Sequence, residues 1–340
     1  MKRTILYVVL AFIVAPIFVS CYQSHKKKLD LAYALVESRP DSALALMKHI
    51  DQEGLSKEEM AKYALTYYIA QDKSGLDLDN DSLIRIAYDW YEGHQEDSLY
   101  VLCLNYMGKF YLLVDSMEQA KSCLEKAYFI SDSLHKMNVK RLVLDKLIEV
   151  EEQLAPYKAL NYAKALVKMY DSMANVTIYN KVAARLRLGE NFFYVDSLQH
   201  ALEEERKAYR MAMKAGDSNL LSYVRQNLAS TFEEIGEKDS CLYYARLAYD
   251  LNAANRFSCL LTFASAYISV DSLNQAFSLL NQAMPKTAED RYSVFYFQSQ
   301  AAMKAHDFKS AKSFSDSAYH YLEDMYRTAL QGKAAYYTSF

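Results

Sequence analysis

Residues 101–130 read VLCLNYMGKFYLLVDSMEQAKSCLEKAYFI. Counted from Val101, the small residues Gly108, Ala120 and Ala127 stand at positions 8, 20 and 27, with Tyr111 at 11 and Leu124 at 24. Residues three, four or seven apart share one face of a helix. Gly108 and Tyr111 lie on a first such run; Ala120, Leu124 and Ala127 lie on a second, after Asp115-Ser116. Small residues on facing runs let two antiparallel helices approach closely, and larger residues fill the gaps beside them. The stretch predicts a helix, a break at Asp-Ser, and a second helix packed back on the first.

The frame recurs. Counted from Val182 it gives Gly189, Phe192, Ala201 and Ala208; from Ser222, Ala229, Phe232, Cys241, Ala245 and Ala248. From Phe257 it gives Ala264, Tyr267, Ala276, Leu280 and Ala283, and from Tyr292, Ser299, Ala311 and Ala318. A degenerate copy from Lys140 keeps Ala159, Ala163 and Leu166. The position-20 residues are spaced 39, 42, 40, 35 and 35 apart. This resembles the tetratricopeptide repeat (TPR), a helix pair of about 34 residues, over nearly all of Leu29 to Leu322. The resemblance implies an all-α, right-handed TPR-type superhelix, an α-solenoid of about seven helix pairs. Residues 29–96 read as two degenerate N-terminal pairs (Leu29–Ser38 with Ser42–Ile50, broken at Pro40, then Lys57–Ala70 with Ser82–Tyr91). Residues 97–325 read as the array and 326–340 as a capping helix or tail.

The segments SRPDSALALMKHID (38–51) and YALTYYIAQDKSGLDLDNDSLIRIAYDWYE (63–92) resemble the N-terminal part of a bacterial family of envelope TPR sensor and regulator proteins. Many members begin with a lipoprotein signal, and some longer ones continue into a transmembrane helix and a cytoplasmic regulatory region. The resemblance implies a sensor-like or adaptor array whose output module is not in this chain.

Composition agrees with an array. A chain of 340 residues exceeds what one hydrophobic core usually serves. With 8 Gly and 4 Pro there are too few turn residues for a sheet-rich protein of this length. Hydrophobic residues at 52% exclude intrinsic disorder. A net charge of −3 argues against nucleic acid as a partner.

Asp-Ser occurs eleven times, at Asp41, Asp81, Asp97, Asp115, Asp132, Asp171, Asp196, Asp217, Asp239, Asp271 and Asp316. Side-chain oxygens of both residues accept from the free N–H groups of a first helical turn, and a carboxylate there suits the helix dipole. These dipeptides are expected to be helix N-caps.

Residues 1–21, MKRTILYVVLAFIVAPIFVSC, carry a basic start and an uncharged, mostly apolar run from Thr4 to Ser20. This is secretory-signal form, and Ser20-Cys21 resembles the bacterial lipobox, with lipid expected on Cys21. Residues 22–28 read as a polar tether, and the expected address is the cell envelope, a membrane-anchored lipoprotein facing the periplasm. The alternative is an uncleaved N-terminal transmembrane anchor; 17 residues with Pro16 inside are short for a span. The remaining Cys103, Cys123, Cys241 and Cys259 form no CxxC pair and read as buried apolar residues.

No catalytic motif stands out. The histidines lack zinc-helix spacing, and phosphate-cradling Gly loops and a GxSxG elbow are absent. Asp77–Ser82 superficially resembles a calcium loop, but Ser82 and Tyr88 stand where Gly and Glu are needed. The acid pairs Glu151-Glu152 and Glu233-Glu234, and the run Glu203–Glu205, read as solvated helix faces. The chain reads as a non-enzyme without cofactor or metal.

The resemblance places first helices on the concave wall, with positions 2, 5, 9 and 12 facing the groove. The candidate partner-binding residues are Asn105, Lys109, Glu190, Phe193, Tyr223, Gln226, Glu233, Tyr296 and Gln300, beside Leu102, Leu112, Ala183, Leu186, Ser230, Ser293 and Met303. Thirty Tyr residues supply half-buried packing rings and binding hot spots. The leading reading is a scaffold binding a protein or peptide in the envelope. The others are a sensory array and a glycan-binding lipoprotein of the nutrient-uptake type.

Overall fold

A computed structural model describes residues 26–76, 78, 81–95, 98–133, 137–251 and 253–338. The signal segment, Cys21 and residues 22–25 of the tether lie outside the described residues, as do Asp97 and three of the six residues of the calcium-like stretch.

Regular structure among the described residues is helical. The helices are α1 (26–35), α2 (Pro40–Met47), α3 (Lys57–Lys73), α4 (Ser82–Glu92), α5 (Ser98–Leu113), α6 (Met117–Ser133), α7 (Met137–Leu154) and α8 (Pro156–Ser172). They continue with α9 (Ile178–Tyr194), α10 (Leu198–Ala215), α11 (Ser218–Ile235), α12 (Lys238–Tyr249), α13 (Arg256–Ser269), α14 (Leu273–Leu280), α15 (Ala288–Lys304) and α16 (Phe308–Thr338). The sixteen helices among the described residues suffice for eight pairs, in keeping with an expectation of about seven. Pro40 follows the break between α1 and α2 and opens α2, and Pro156 opens α8 in the same way. A first-turn proline loses nothing, because its missing N–H would have no helical acceptor.

The chain divides into two compact units, 1–147 and 148–340, with the division inside α7. In the first, α3 packs on α4, α4 on α5 and α5 on α6. In the second, α9 packs on α10, α11 on α12, α13 on α14 and α15 on α16, and each of α11, α13 and α15 also touches the first helix before it. Burial follows the repeat frame: Ala120, Ala159, Ala201, Cys241, Ala276 and Ala311, all at position 20, are buried, as are Ala127, Ala208, Ala248 and Ala318 at position 27.

The helix ends correct the expectation about Asp-Ser. Position 15 of the frame is Asp115, Asp196, Gly236, Asp271 and His306, and all five have positive φ, between 53° and 86°. In each, the next residue's N–H reaches back to the carbonyl at position 11, as Ser116 does to Tyr111 at 2.7 Å and Ser197 to Phe192 at 2.9 Å. The turn residue's own N–H reaches the carbonyl at position 12. This is the Schellman ending, which needs a left-handed residue just past the helix. Asp tolerates that conformation better than most residues with a Cβ. Asp115, Asp196 and Asp271 therefore each end a first helix in a left-handed turn. Ser197 and Ser272 make no side-chain cap bond, and neither does Asp81. Asp132 and Asp171 sit in the last turns of α6 and α8, and Asp239 and Asp316 lie inside α12 and α16. Of these dipeptides Asp217 is a side-chain N-cap, accepting from Leu220 N–H at 2.9 Å; Ser56, Thr177 and Thr287 cap α3, α9 and α15.

Among the described residues no helix is long and apolar enough to cross a membrane. Cys103, Cys241 and Cys259 are buried free thiols, while Cys123 is only partly buried. Burial pushes the Cys241 thiol up to about 12 and the Cys123 thiol up to about 11, which keeps both protonated and poorly nucleophilic.

Candidate binding groove on the second unit

The expected groove residues of the first unit are engaged internally. Asn105 is 6% exposed, in the core of that unit, and Lys109 forms a salt bridge with Asp72 of α3. Leu102 and Leu112 are half-buried.

In the second unit the polar wall positions are wired across consecutive first helices. Asn227 Nδ2 of α11 donates to Glu190 Oε1 of α9 at 3.1 Å. Asn255 Nδ2 donates to Gln226 Oε1 at 3.0 Å, and Gln226 in turn donates to the Ser258 hydroxyl of α13. Ser265 of α13 donates to Glu233 Oε1 at 2.7 Å. Earlier in the unit, Asn191 donates to Glu152 Oε1 at 2.8 Å and Arg187 pairs with the other carboxylate oxygen at 3.1 Å. The amides and carboxylates at these positions thus hold repeats together. Burial pushes the Glu233 and Glu152 carboxyls upward, while their donors oppose the shift.

The aromatic positions separate. Tyr223 and Tyr296 are exposed, at 45% and 42%, and Tyr296 stacks on Tyr292 with ring centroids 6.1 Å apart. Phe193 is half-buried and meets Tyr194 edge-on at 6.3 Å. Gln300 and Met303 are exposed, Ser293 is half-buried, and Leu186 belongs to the core.

Phe193 opens onto a cleft of about 150 Å³ between α9 and α11. Glu190, Phe193 and Tyr194 line it from α9, Asn227, Ser230 and Thr231 from α11, and Glu205 from α10. Glu205 corrects a sequence expectation: it is 2% exposed rather than on a solvated face, and Glu204 and Glu151 are buried too. Thr231 Oγ1 donates to Glu205 Oε1 at 2.7 Å, while Oε2 has no hydrogen-bond partner. Burial, aided by the Glu190 charge, pushes the Glu205 carboxyl up to about 7, against the Thr231 hydrogen bond. Gly189 makes room for this side chain, since a Cβ there would meet Glu205 Cγ at 3.1 Å. The clue lay in the frame. Glu205 is position 24 counted from Val182, where the repeats from Val101, Lys140, Ser222 and Phe257 carry Leu124, Ala163, Ala245 and Leu280.

Among the described residues no cluster of three or more His, Cys, Asp or Glu has the arrangement of a metal site.

No protein-family model matches the chain, and no curated protein sequence matches it. Solved structures do. The apo form of RapI is 14% identical with a TM-score of 0.68, covering 88% of this chain and 86% of RapI. A Rap protein complexed with competence and sporulation factor is 14% identical with a TM-score of 0.60, covering 91% of this chain and 99% of that one. The STAND protein PH0952 of Pyrococcus horikoshii, which has a tetratricopeptide repeat sensor, is 12% identical with a TM-score of 0.63. That match covers 90% of this chain and 47% of PH0952. At these identities the likeness is one of fold. By fold, the chain is a tetratricopeptide-type α-solenoid.

Proposed function

We propose that the chain is a non-catalytic scaffold that binds a protein or peptide segment across α9 and α11 of its second unit. The observation that carries this reading is the cleft at Phe193. The half-buried Phe193 and the exposed Tyr194 stand beside carboxyl, amide and hydroxyl groups there, and Tyr223 is an exposed ring further along α11. Aromatic anchors in a partly desolvated pocket with a polar rim are the usual make-up of a binding hot spot. The fold likeness to a Rap protein carrying a bound factor supports the same reading.

The proposal extends to location, a scaffold held by lipid on Cys21 at the envelope membrane and facing the periplasm; the signal-like start and Ser20-Cys21 support it. A second reading, a sensory array whose partner carries the signal, is favoured by the fold likeness to the sensor-bearing PH0952.

The test is selection of binders from a random peptide display library on the full chain, followed by affinity measurement with the variants Phe193→Ala and Arg210→Ala. Arg210 is an exposed residue of α10. Binding lost in the first and kept in the second supports the groove. Binding unchanged by Phe193→Ala and by Tyr223→Ala overturns it.

A further inference from the structure

In the cleft between α9 and α11 the Asn227, Ser230 and Thr231 side chains each donate within the chain, while a carboxyl acceptor stays open. Thr231 spends its hydroxyl proton on Glu205 at 2.7 Å, and Ser230 donates to the Gln226 carbonyl at 3.3 Å. Asn227 donates to Glu190 at 3.1 Å. Two carboxylates remain, and one oxygen of the buried Glu205 has no partner. An unsatisfied buried carboxyl oxygen is costly, and the other repeats carry Leu, Ala or Ser at this position.

The cations nearby are engaged within the chain, mostly with carboxylates outside the cleft. Arg185 bridges Asp171 and Glu204, at 2.7 and 2.8 Å. Lys207 holds Glu203 and Glu204, and Arg187 is closest to Glu152, reaching Glu190 only at 3.9 Å. No described side chain donates to Glu205 Oε2, so a donor from outside the chain can meet it. The Phe193 and Tyr194 rings suit a cationic donor, because ring faces attract cations. A volume of about 150 Å³ suits the head of one side chain.

We propose that this cleft receives one basic side chain, an arginine or lysine of the bound segment, with Glu190 and Glu205 as its counter-charges. A guanidinium offers five donors and no acceptor, which suits two carboxyl groups facing one cleft, and its charge favours the ionised form of Glu205 against the burial that holds the proton there. This inference rests on the groove reading above and adds the chemistry of its ligand.

Peptides selected on the full chain supply the probe. The expected result is one position enriched in Arg or Lys. Replacing that Arg by citrulline, its neutral isostere, should weaken binding about tenfold or more, as expected when a buried charge pair loses one member. Glu190→Gln should erase the difference between the Arg and citrulline peptides, and so should Glu205→Gln. If Glu205→Gln folds poorly, Glu190→Gln carries the same comparison. Peptides whose binding depends on Phe193 but which carry no enriched basic residue, or an acidic one, overturn the pocket and leave the groove standing. Equal affinity of Arg and citrulline forms overturns it as well. Binding indifferent to both Phe193→Ala and Tyr223→Ala overturns the groove itself.

Discussion

A methyl group placed on Gly108 would lie 2.6 Å from Cγ of Leu124 and 2.8 Å from its Cδ2, inside the closest approach of two carbons. Position 8 of α5 and position 24 of α6 therefore set how closely this helix pair packs. Helix propensity alone favours Gly→Ala in mid-helix by roughly 0.5–1 kcal/mol. Here the contact should reverse the sign, and Gly108→Ala should lower Tm, with Gly108→Leu costing about 1–3 kcal/mol through overpacking. A Leu124→Ala background should remove much of the Gly108→Ala penalty, because the two sites share one contact. Additive effects in that double-mutant cycle would refute the proposed contact.

Asp196 ends α9 at φ 58°, a conformation that a β-branched residue adopts at a cost of order 1–3 kcal/mol. Asp196→Val should lower Tm, and Asp196→Gly should leave it equal or higher. Thermal melts of the two variants decide the matter. Equal melting would mean that Asp196 does not carry a left-handed turn.

Glu205 gives stability a pH dependence. Its carboxyl keeps its proton up to about 7 in the folded chain, against an ordinary 4.5. The unfolded chain releases that proton first, so stability is full below about pH 4.5 and declines as pH rises through 7. Glu205→Gln carries no such loss, so the variant's advantage over the parent should grow between pH 5 and pH 8, by about 3 kcal/mol at most. Denaturant melts at both pH values read this directly. Comparing the two proteins cancels the other buried carboxyls, Glu152 and Glu233. A stability difference that does not change with pH would show that Glu205 titrates normally.

Tyr223 is 45% exposed and Phe193 half-buried, so their truncations should differ in melting. Tyr223→Ala should leave the stability within about 0.5 kcal/mol of the parent, as surface changes usually do, and Phe193→Ala should lower it. In binding, both should weaken the selected peptides, since truncating an aromatic anchor often costs about 2 kcal/mol or more. A Tyr223→Ala chain that melts early would assign the ring to packing.

The proposed lipid on Cys21 predicts that Cys21→Ser releases the chain from membranes, because acyl burial supplies about 0.8 kcal/mol per CH2. Sedimentation after a carbonate wash tests it. A variant that still pellets would return the reading to a transmembrane anchor.

Much of the fold was legible in residues 101–130 alone. Gly108, Ala120 and Ala127 recur as a spacing pattern because close helix packing requires small side chains at fixed intervals, whatever the partner helix. The Asp-Ser dipeptides were legible as punctuation. Which helix end each one served was not, because side-chain capping and a left-handed turn favour the same residue types and differ only in φ. The site was less legible still. Asn105 and Lys109 sit at wall positions by count, yet the first is buried and the second is paired with Asp72, 37 residues earlier. Glu205 broke the apolar run at position 24, which marked it as an exception. Only tertiary structure brought Thr231, 26 residues away, onto one of its oxygens, left the other without a partner, and set Glu190 close enough to help hold its proton. Periodicity is a local property that sequence by itself determines. Burial of a particular charge depends on which neighbours the packed helices deliver, and that only the tertiary structure decided.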